Sequence, residues 1–317
     1  MDANLRLGIA SCLLGEKVRF DGGHKRDDFL TGTVAPHVVW VPVCPEAESG
    51  MGVPRPTVRL ALDEDGATRM VDPKSGADHT ATMRRFAKTR VRALADEDLD
   101  GYVLKKDSPS CGMERVRLYG ASGMPTRQGV GLFAAELLAR FPHLPIEEEG
   151  RLHDPGLREN FFVRAFAYRR LKALFAGPWR AGDVVRFHTA EKMLLLAHDP
   201  EGYRALGRLV AAVKTTPRAE LHRAYADGFM GALRKLATPR KHVNVLQHMQ
   251  GHFSDRLDDA ARAELTALIA DFGRGLVPLI VPVTLFRHYV RRFEVAYLAG
   301  QTYLEPHPKE LMLRNHA

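Results

Sequence analysis

Leu5-Arg6-Leu7-Gly8-Ile9-Ala10, followed at once by Ser11-Cys12, reads as a short apolar strand that delivers a cysteine at its carboxyl end. The pattern recurs twice. Val38-Val39-Trp40-Val41-Pro42-Val43 is a second such run, β-branched and apolar, and it ends at Cys44. After a helical stretch from Thr80 to Asp98, Gly101 to Leu104 begins a third strand. It leads through Lys105-Lys106-Asp107-Ser108-Pro109-Ser110 to Cys111. A further helix is expected over Gly129 to Phe141. Short apolar strands alternating with helices predict an α/β fold with a parallel, Rossmann-like sheet. In open sheets of that kind ligands bind beyond the carboxyl ends of the strands, where all three cysteines fall.

The rest of the chain sets the frame for those three thiols. With 317 residues, 45% apolar and 26% charged, it has the composition of a globular protein of about two domains, which excludes a disordered or disulfide-rich small scaffold. The longest apolar stretch, Leu276 to Phe286, is interrupted by Pro278 and Pro282 and is about half the ~20 residues of a spanning helix. The run Leu7 to Ala10 is too brief for the core of a secretion signal. A cytoplasmic protein that does not engage membranes is therefore expected. An odd number of cysteines, with no C-x-x-C pair, argues against a disulfide framework. Single free cysteines are ordinarily buried and inert. Three of them, each at a strand end beside Gly, Pro or Ser, point instead to a shared soft-metal or iron–sulfur centre.

Charge divides the chain. Residues 1–155 hold 21 Lys and Arg against 23 Asp and Glu, a net of −2, whereas residues 156–317 hold 25 against 15, a net of +10. A basic half of this kind suits a polyanion. Helical apolar spacing covers 160–175, 187–198, 219–236, 241–253, 259–275 and 284–299, so an all-α second domain is expected, joined through a linker at Gly150 to Pro155. The expected division is 1–149 and 150–317. His248 and His252 lie four apart but lack the neighbouring Glu and third ligand of a zinc helix, so a structural or RNA-contacting role is favoured.

Polar residues crowd the strand ends: Asp21, His24 and Lys25 after the first cysteine, Glu46 and Arg55 after the second, Lys106, Ser108 and Ser110 before the third. The segments Ser11-Cys12-Leu13-Leu14-Gly15 with Val18-Arg19-Phe20-Asp21-Gly22-Gly23-His24-Lys25, Pro42-Val43-Cys44-Pro45-Glu46, and Lys106-Asp107-Ser108-Pro109-Ser110-Cys111-Gly112 resemble the bacterial thiouracil desulfurase (TudS-like) family. That resemblance implies a [4Fe–4S] cluster on Cys12, Cys44 and Cys111, with one iron open to the substrate's sulfur. It also implies a catalytic carboxylate at Glu46 and a catalytic serine in Ser108-Pro109-Ser110, with Ser108 favoured. Asp21, His24, Lys25, Arg55 and Lys106 are the substrate-binding candidates.

The second half carries its own resemblance. Phe187 to His198, Lys241 to His252, Phe286 to Arg292 and the tail Gly300 to Pro308 are similar to the helical YbgA-type domain that follows such desulfurase domains. The arrangement resembles the fused tRNA 4-thiouridine desulfidases (RudS-type), which implies removal of sulfur from 4-thiouridine in tRNA, C=S becoming C=O without net redox. Arg287, Arg291, Arg292 and Lys241 are the tRNA-binding candidates, and Tyr289, Tyr297 and Tyr303 could stack on bases. Two other readings stay open: desulfuration of free thiouracil-type bases, and a non-catalytic iron–sulfur redox sensor that binds nucleic acid. Glu46 and the two serines speak against the sensor, which needs neither.

Overall fold

A computed structural model describes residues 4–120 and 123–315, and the chain forms two compact units, Met1–His153 and Asp154–Ala317. The strands of the first unit are β1 (Leu5–Ala10), β2 (Val38–Val43), β3 (Arg59–Leu62), β4 (Thr68–Val71), β5 (Gly101–Leu104), β6 (Val116–Tyr119), β7 (Pro125–Gly129) and β8 (Ile146–Glu148). Its helices are α1 (Thr80–Leu94) and α2 (Leu132–Arg140). One sheet runs in the order β2-β1-β5-β8 and is parallel throughout. This is the expected α/β class.

Register explains where the cysteines emerge. Ala10 pairs with Val43, so the chain leaves β1 and β2 side by side, toward Cys12 and Cys44 respectively. Ile9 pairs with Val103 on β5, whose exit leads to Cys111 at the same edge. Leu5, Leu7 and Ile9 are fully buried. Gly8 faces the ring of Tyr102, where an added Cβ would meet Cδ2 at 2.1 Å, so the residue must be glycine for β1 and β5 to close. α1 buries Met83, Ala87, Val91 and Leu94, a stripe at helical spacing, and packs against α2.

A second sheet, in the order β4-β3-β6-β7, departs from the sequence reading. β3 and β4 form an antiparallel hairpin in the connection after Cys44, and β6 and β7 form another in the connection after Cys111. β3 and β6 pair in parallel, so the two connections are stitched together by main-chain hydrogen bonds. The expected helix at Gly129 to Phe141 begins only at Leu132, because Gly129 closes β7. Gln128 and Arg127 offer the alternation of an exposed hairpin rather than an apolar stripe, so neither period dominates there.

The second unit is helical: α3 (Pro155–Phe175), α4 (Ala181–His198), α5 (Pro200–Ala211), α6 (Arg218–Arg234), α7 (Pro239–Gln250), α8 (Asp259–Gly273), α9 (Ile280–Arg292) and α10 (Ala296–Ala299). Asp154, Thr238 and Asp258 cap α3, α7 and α8 by accepting from Leu157, Lys241 and Ala261 amides. Tyr225, Phe229, Phe253 and Phe286 anchor its core. α5 lies outside the expected helices because Pro200, Gly202 and Gly207 read as breakers; Pro200 in fact occupies the first turn, where its missing N–H costs nothing. Among the described residues, no helix is long and apolar enough to cross a membrane.

Candidate active site

A cavity of about 380 Å³ opens at the carboxyl edge of the parallel sheet, and Cys12, Cys44 and Cys111 all line it. Glu46, Ser108, Ser110, Lys25, Arg55 and Lys106 share its walls. Asp21 and His24 are not among its lining residues. Both shape the preceding turn instead: Asp21 accepts from the Gly23 amide at 3.0 Å and His24 Nδ1 accepts from the Arg26 amide at 3.2 Å. The Gly23 bond holds the Asp21 carboxyl below its usual range. Phe20, Thr57 and Val58 also line the cavity. They carry no chemical signature in the sequence, and only the pairing of β3 with β6 could have placed the last two.

The three thiols are held in dry surroundings. Burial pushes Cys12 up to about 11, helped by the neighbouring Cys44. Burial likewise raises Cys44, and it raises Cys111 well above the ordinary thiol range, with Glu46, Cys12 and Cys44 adding to the effect. Each thiol therefore keeps its proton near neutral pH, and each pair is close enough to interact electrostatically. Among the described residues, no three His, Cys, Asp or Glu side chains could hold a single metal ion. Thiolates around one tetrahedral ion, at about 2.3 Å from it, would sit roughly 3.8 Å apart. Three thiols are the soft donor set on which an iron–sulfur group could be built.

Glu46 follows Cys44 by two residues and is clamped on both oxygens. Arg55 donates to Oε2 from Nε at 3.0 Å and also from Nη2. The same guanidinium bonds the Val18 and Gly52 carbonyls, so it ties three segments to the carboxylate. Ser110 donates to Oε1 at 2.7 Å, and Ser108 lies 3.4 Å from that oxygen and 3.0 Å from Ser110 Oγ. Ser108 Oγ also accepts from the Ser110 and Cys111 amides at 3.3 and 3.1 Å, which folds the loop tightly around Cys111. Gly131 completes the fit: a Cβ there would lie 2.4 Å from the Ser110 carbonyl oxygen. Ser110 is thus the nearer, buried partner of Glu46, and Ser108 the more exposed one.

Two of three adjacent carboxylates hold the cysteine loop from behind. Glu147, Glu148 and Glu149 are all buried. Glu149 accepts from Lys105 Nζ and from the Lys106 amide at 2.8 Å, and Glu148 accepts from the Met113 amide at 2.7 Å. Glu147 pairs with Arg151 at 2.6 Å. These functional supports were missed in the sequence.

The nucleic-acid candidates divide. Arg291 and Arg292 are exposed in the last turn of α9. Arg287 pairs with Glu305, and the Lys241 ammonium donates to the His198 and Leu236 carbonyls at 2.6 and 3.1 Å. Tyr303 is fully buried and bonded to His242, which removes it as a base-stacking residue. Tyr289 is buried as well, whereas Tyr297 lies against His252 with ring centroids 4.9 Å apart.

Residues 7–149 match the family described as 2-thiouracil desulfurase, and residues 192–308 match one described as a protein of unknown function, DUF1722. The uncharacterized protein YbgA of Escherichia coli K12 is 33% identical over 158 residues, which is 50% of this chain and 94% of YbgA. A solved structure titled [4Fe-4S]-dependent thiouracil desulfidase TudS aligns with 48% of this chain and 95% of its own, at 28% identity and a TM-score of 0.39. The chain belongs to the YbgA-like family, with a 2-thiouracil desulfurase domain placed ahead of its DUF1722 domain.

Proposed function

We propose that the chain is a [4Fe–4S]-dependent desulfidase that converts 4-thiouridine in tRNA to uridine. The observation that carries this reading is the convergence of three thiols, two buried and one half-buried, with Glu46 and two serines on one cavity of about 380 Å³, large enough for a pyrimidine ring. Cys12, Cys44 and Cys111 would hold the cluster, giving up their protons as it loads. When bound, a cluster with three protein ligands supplies a thiophilic Lewis acid at its open iron.

The rest of the chemistry falls to the chain. Water adds its oxygen to the thiocarbonyl carbon, the C–S bond breaks, and sulfide leaves; no electrons are exchanged overall. Glu46 takes the proton that water loses, through the oxygen not held by Arg55. Ser110 fixes that oxygen and Arg55 fixes the other, so the carboxylate meets its substrate in one orientation. Lys25 and Lys106 on the cavity wall suit a phosphate-bearing substrate.

Anaerobic, iron-loaded protein mixed with thiolated tRNA should bleach the near-ultraviolet thiouridine band. Cys12→Ser, Cys44→Ser and Cys111→Ser should each abolish both the brown colour and the bleaching. A colourless wild type that still turns over would overturn the cluster. Bleaching of free thiouracil with none on tRNA would assign the smaller substrate.

The basic helical unit is the proposed tRNA holder. Removing Arg291 and Arg292 together should weaken tRNA binding and lower the log–log salt slope by about 0.7–0.9 for each phosphate no longer neutralised. Turnover of free thiouracil should hardly change, since it needs only the first unit. Unchanged tRNA affinity would clear this pair of the role.

A further inference from the structure

The helical unit contains a second cavity, of about 360 Å³, that the desulfidase reading does not use. It is built within residues 154–314, and its floor is polar and deeply buried. His198, His242 and Arg314 are 4%, 6% and 4% exposed. His198 Nδ1 lies 2.7 Å from the Lys235 carbonyl, which can only accept, so Nδ1 carries the proton and Nε2 is an acceptor. His242 Nδ1 is bonded to the Tyr303 hydroxyl at 2.9 Å. These bonds engage the Nδ1 edges, and both rings line the cavity. Arg314 donates from Nε to Glu159 at 2.8 Å and from Nη1 to the Tyr303 carbonyl. Val163, Leu236 and Phe272 contribute apolar wall.

Two imidazole edges on the floor of a cavity can be completed by water or by the polar edge of a ligand that displaces it. The surroundings narrow what that is. A metal ion is disfavoured, because no three ligating side chains come together among the described residues and Arg314 contributes positive charge nearby. An anion is disfavoured too, since Glu159 and Asp154 line the cavity and the imidazoles are neutral: burial lowers His198 to about 4 and His242 well below its usual range. What fits is a neutral, flat molecule with donors and acceptors along its edge and apolar faces. A heterocyclic base has this character.

We propose that this cavity binds a nucleobase, presented either by an unpaired nucleotide of RNA or as a free nucleoside. The proposal goes beyond the desulfidase reading because sulfur plays no part in it. An unpaired base can be splayed from its strand and read on its polar edge while its faces pack on side chains, the mode by which proteins recognise single-stranded RNA. The site would thus let the helical unit grip RNA by a base as well as by phosphates.

The test uses the full chain, sulfur-free uridine and a short oligouridylate, with the ring-proton resonances of His198 and His242 as a readout local to this cavity. Both resonances should move saturably as either probe is added. Leu236 is 45% exposed, and Leu236→Trp should narrow the cavity without disturbing the core. Affinity should fall at least tenfold in that variant, with an unchanged helical circular dichroism spectrum. His198→Asn, which keeps a polar edge but shortens it, should weaken binding without abolishing it. Displacement of uridine by the oligonucleotide would identify a base carried on a strand; uridine binding that the oligonucleotide cannot displace would identify the free nucleoside. Histidine resonances that stay fixed with both probes, or equal binding by folded Leu236→Trp protein, would overturn the proposal. The thiouridine bleaching assay is untouched by either result, so the two readings fail separately.

Discussion

Glu46→Gln should lower desulfuration turnover by about 10²- to 10⁴-fold, the usual worth of a positioned acid or base, and leave the visible spectrum of the iron-loaded protein as it is. The substitution keeps the shape of the side chain and its capacity to bond Ser110, but removes the basic oxygen. None of the three thiols depends on that carboxylate for a hydrogen bond, so the metal site should load normally. Ser110→Ala should cost less, because Arg55 would still hold the other oxygen. Ser108→Ala should additionally loosen the turn around Cys111, since its hydroxyl accepts two main-chain amides there. Full activity in Glu46→Gln would remove the carboxylate from the reaction. Loss of colour in that variant would make it a structural residue.

Acidification should unfold the helical unit ahead of the α/β unit. His188 and His198 are lowered to about 4 and His307 to about 3, all by burial. Unfolding releases each to its ordinary value near 6.5, so the unfolded chain binds more protons and stability falls as pH drops through the window from 6.5 to about 4. For His198 alone this is on the order of 3 kcal/mol, at 1.36 kcal/mol per unit. Several such groups together rival the 5–15 kcal/mol that typically holds a domain. In the α/β unit the lowered groups are carboxylates, Asp21, Asp63, Asp72 and Asp78, whose stabilising bonds are lost only below about pH 4. Each unit carries one tryptophan, Trp40 in β2 and Trp179 ahead of α4. Single-tryptophan variants should show the Trp179 signal changing at the higher pH. Coincident transitions, or Trp40 changing first, would refute this account.

The parallel sheet was legible because the central strands β1 and β5 are buried on both faces and, with the edge strand β2, read as continuous apolar runs. The cavity followed from them, since a parallel sheet sends every strand's exit to one edge. The second sheet was not legible. Its strands are four or five residues long and β7, Pro125–Gly129, is exposed along most of its length, so no apolar period marks it. Glu147, Glu148 and Glu149 were hidden for the opposite reason. Three acids in a row are what a solvated loop looks like, and nothing local reveals that Lys105 and Met113 arrive to satisfy two of them. Lys241 shows the same limit in the basic half, where a sequence counts charges but cannot show which have already been used on carbonyl groups.

The dryness around the thiols has a consequence for their reactivity while the site holds no metal. The nucleophile and the species that oxidises is the thiolate, and a thiol that keeps its proton reacts slowly with alkylating agents and peroxides. Cys12 and Cys111, the more deeply buried pair, are shielded in this way. On the proposed reading, these two thiols would outlast exposure to oxidants and remain available to a cluster that displaces their protons.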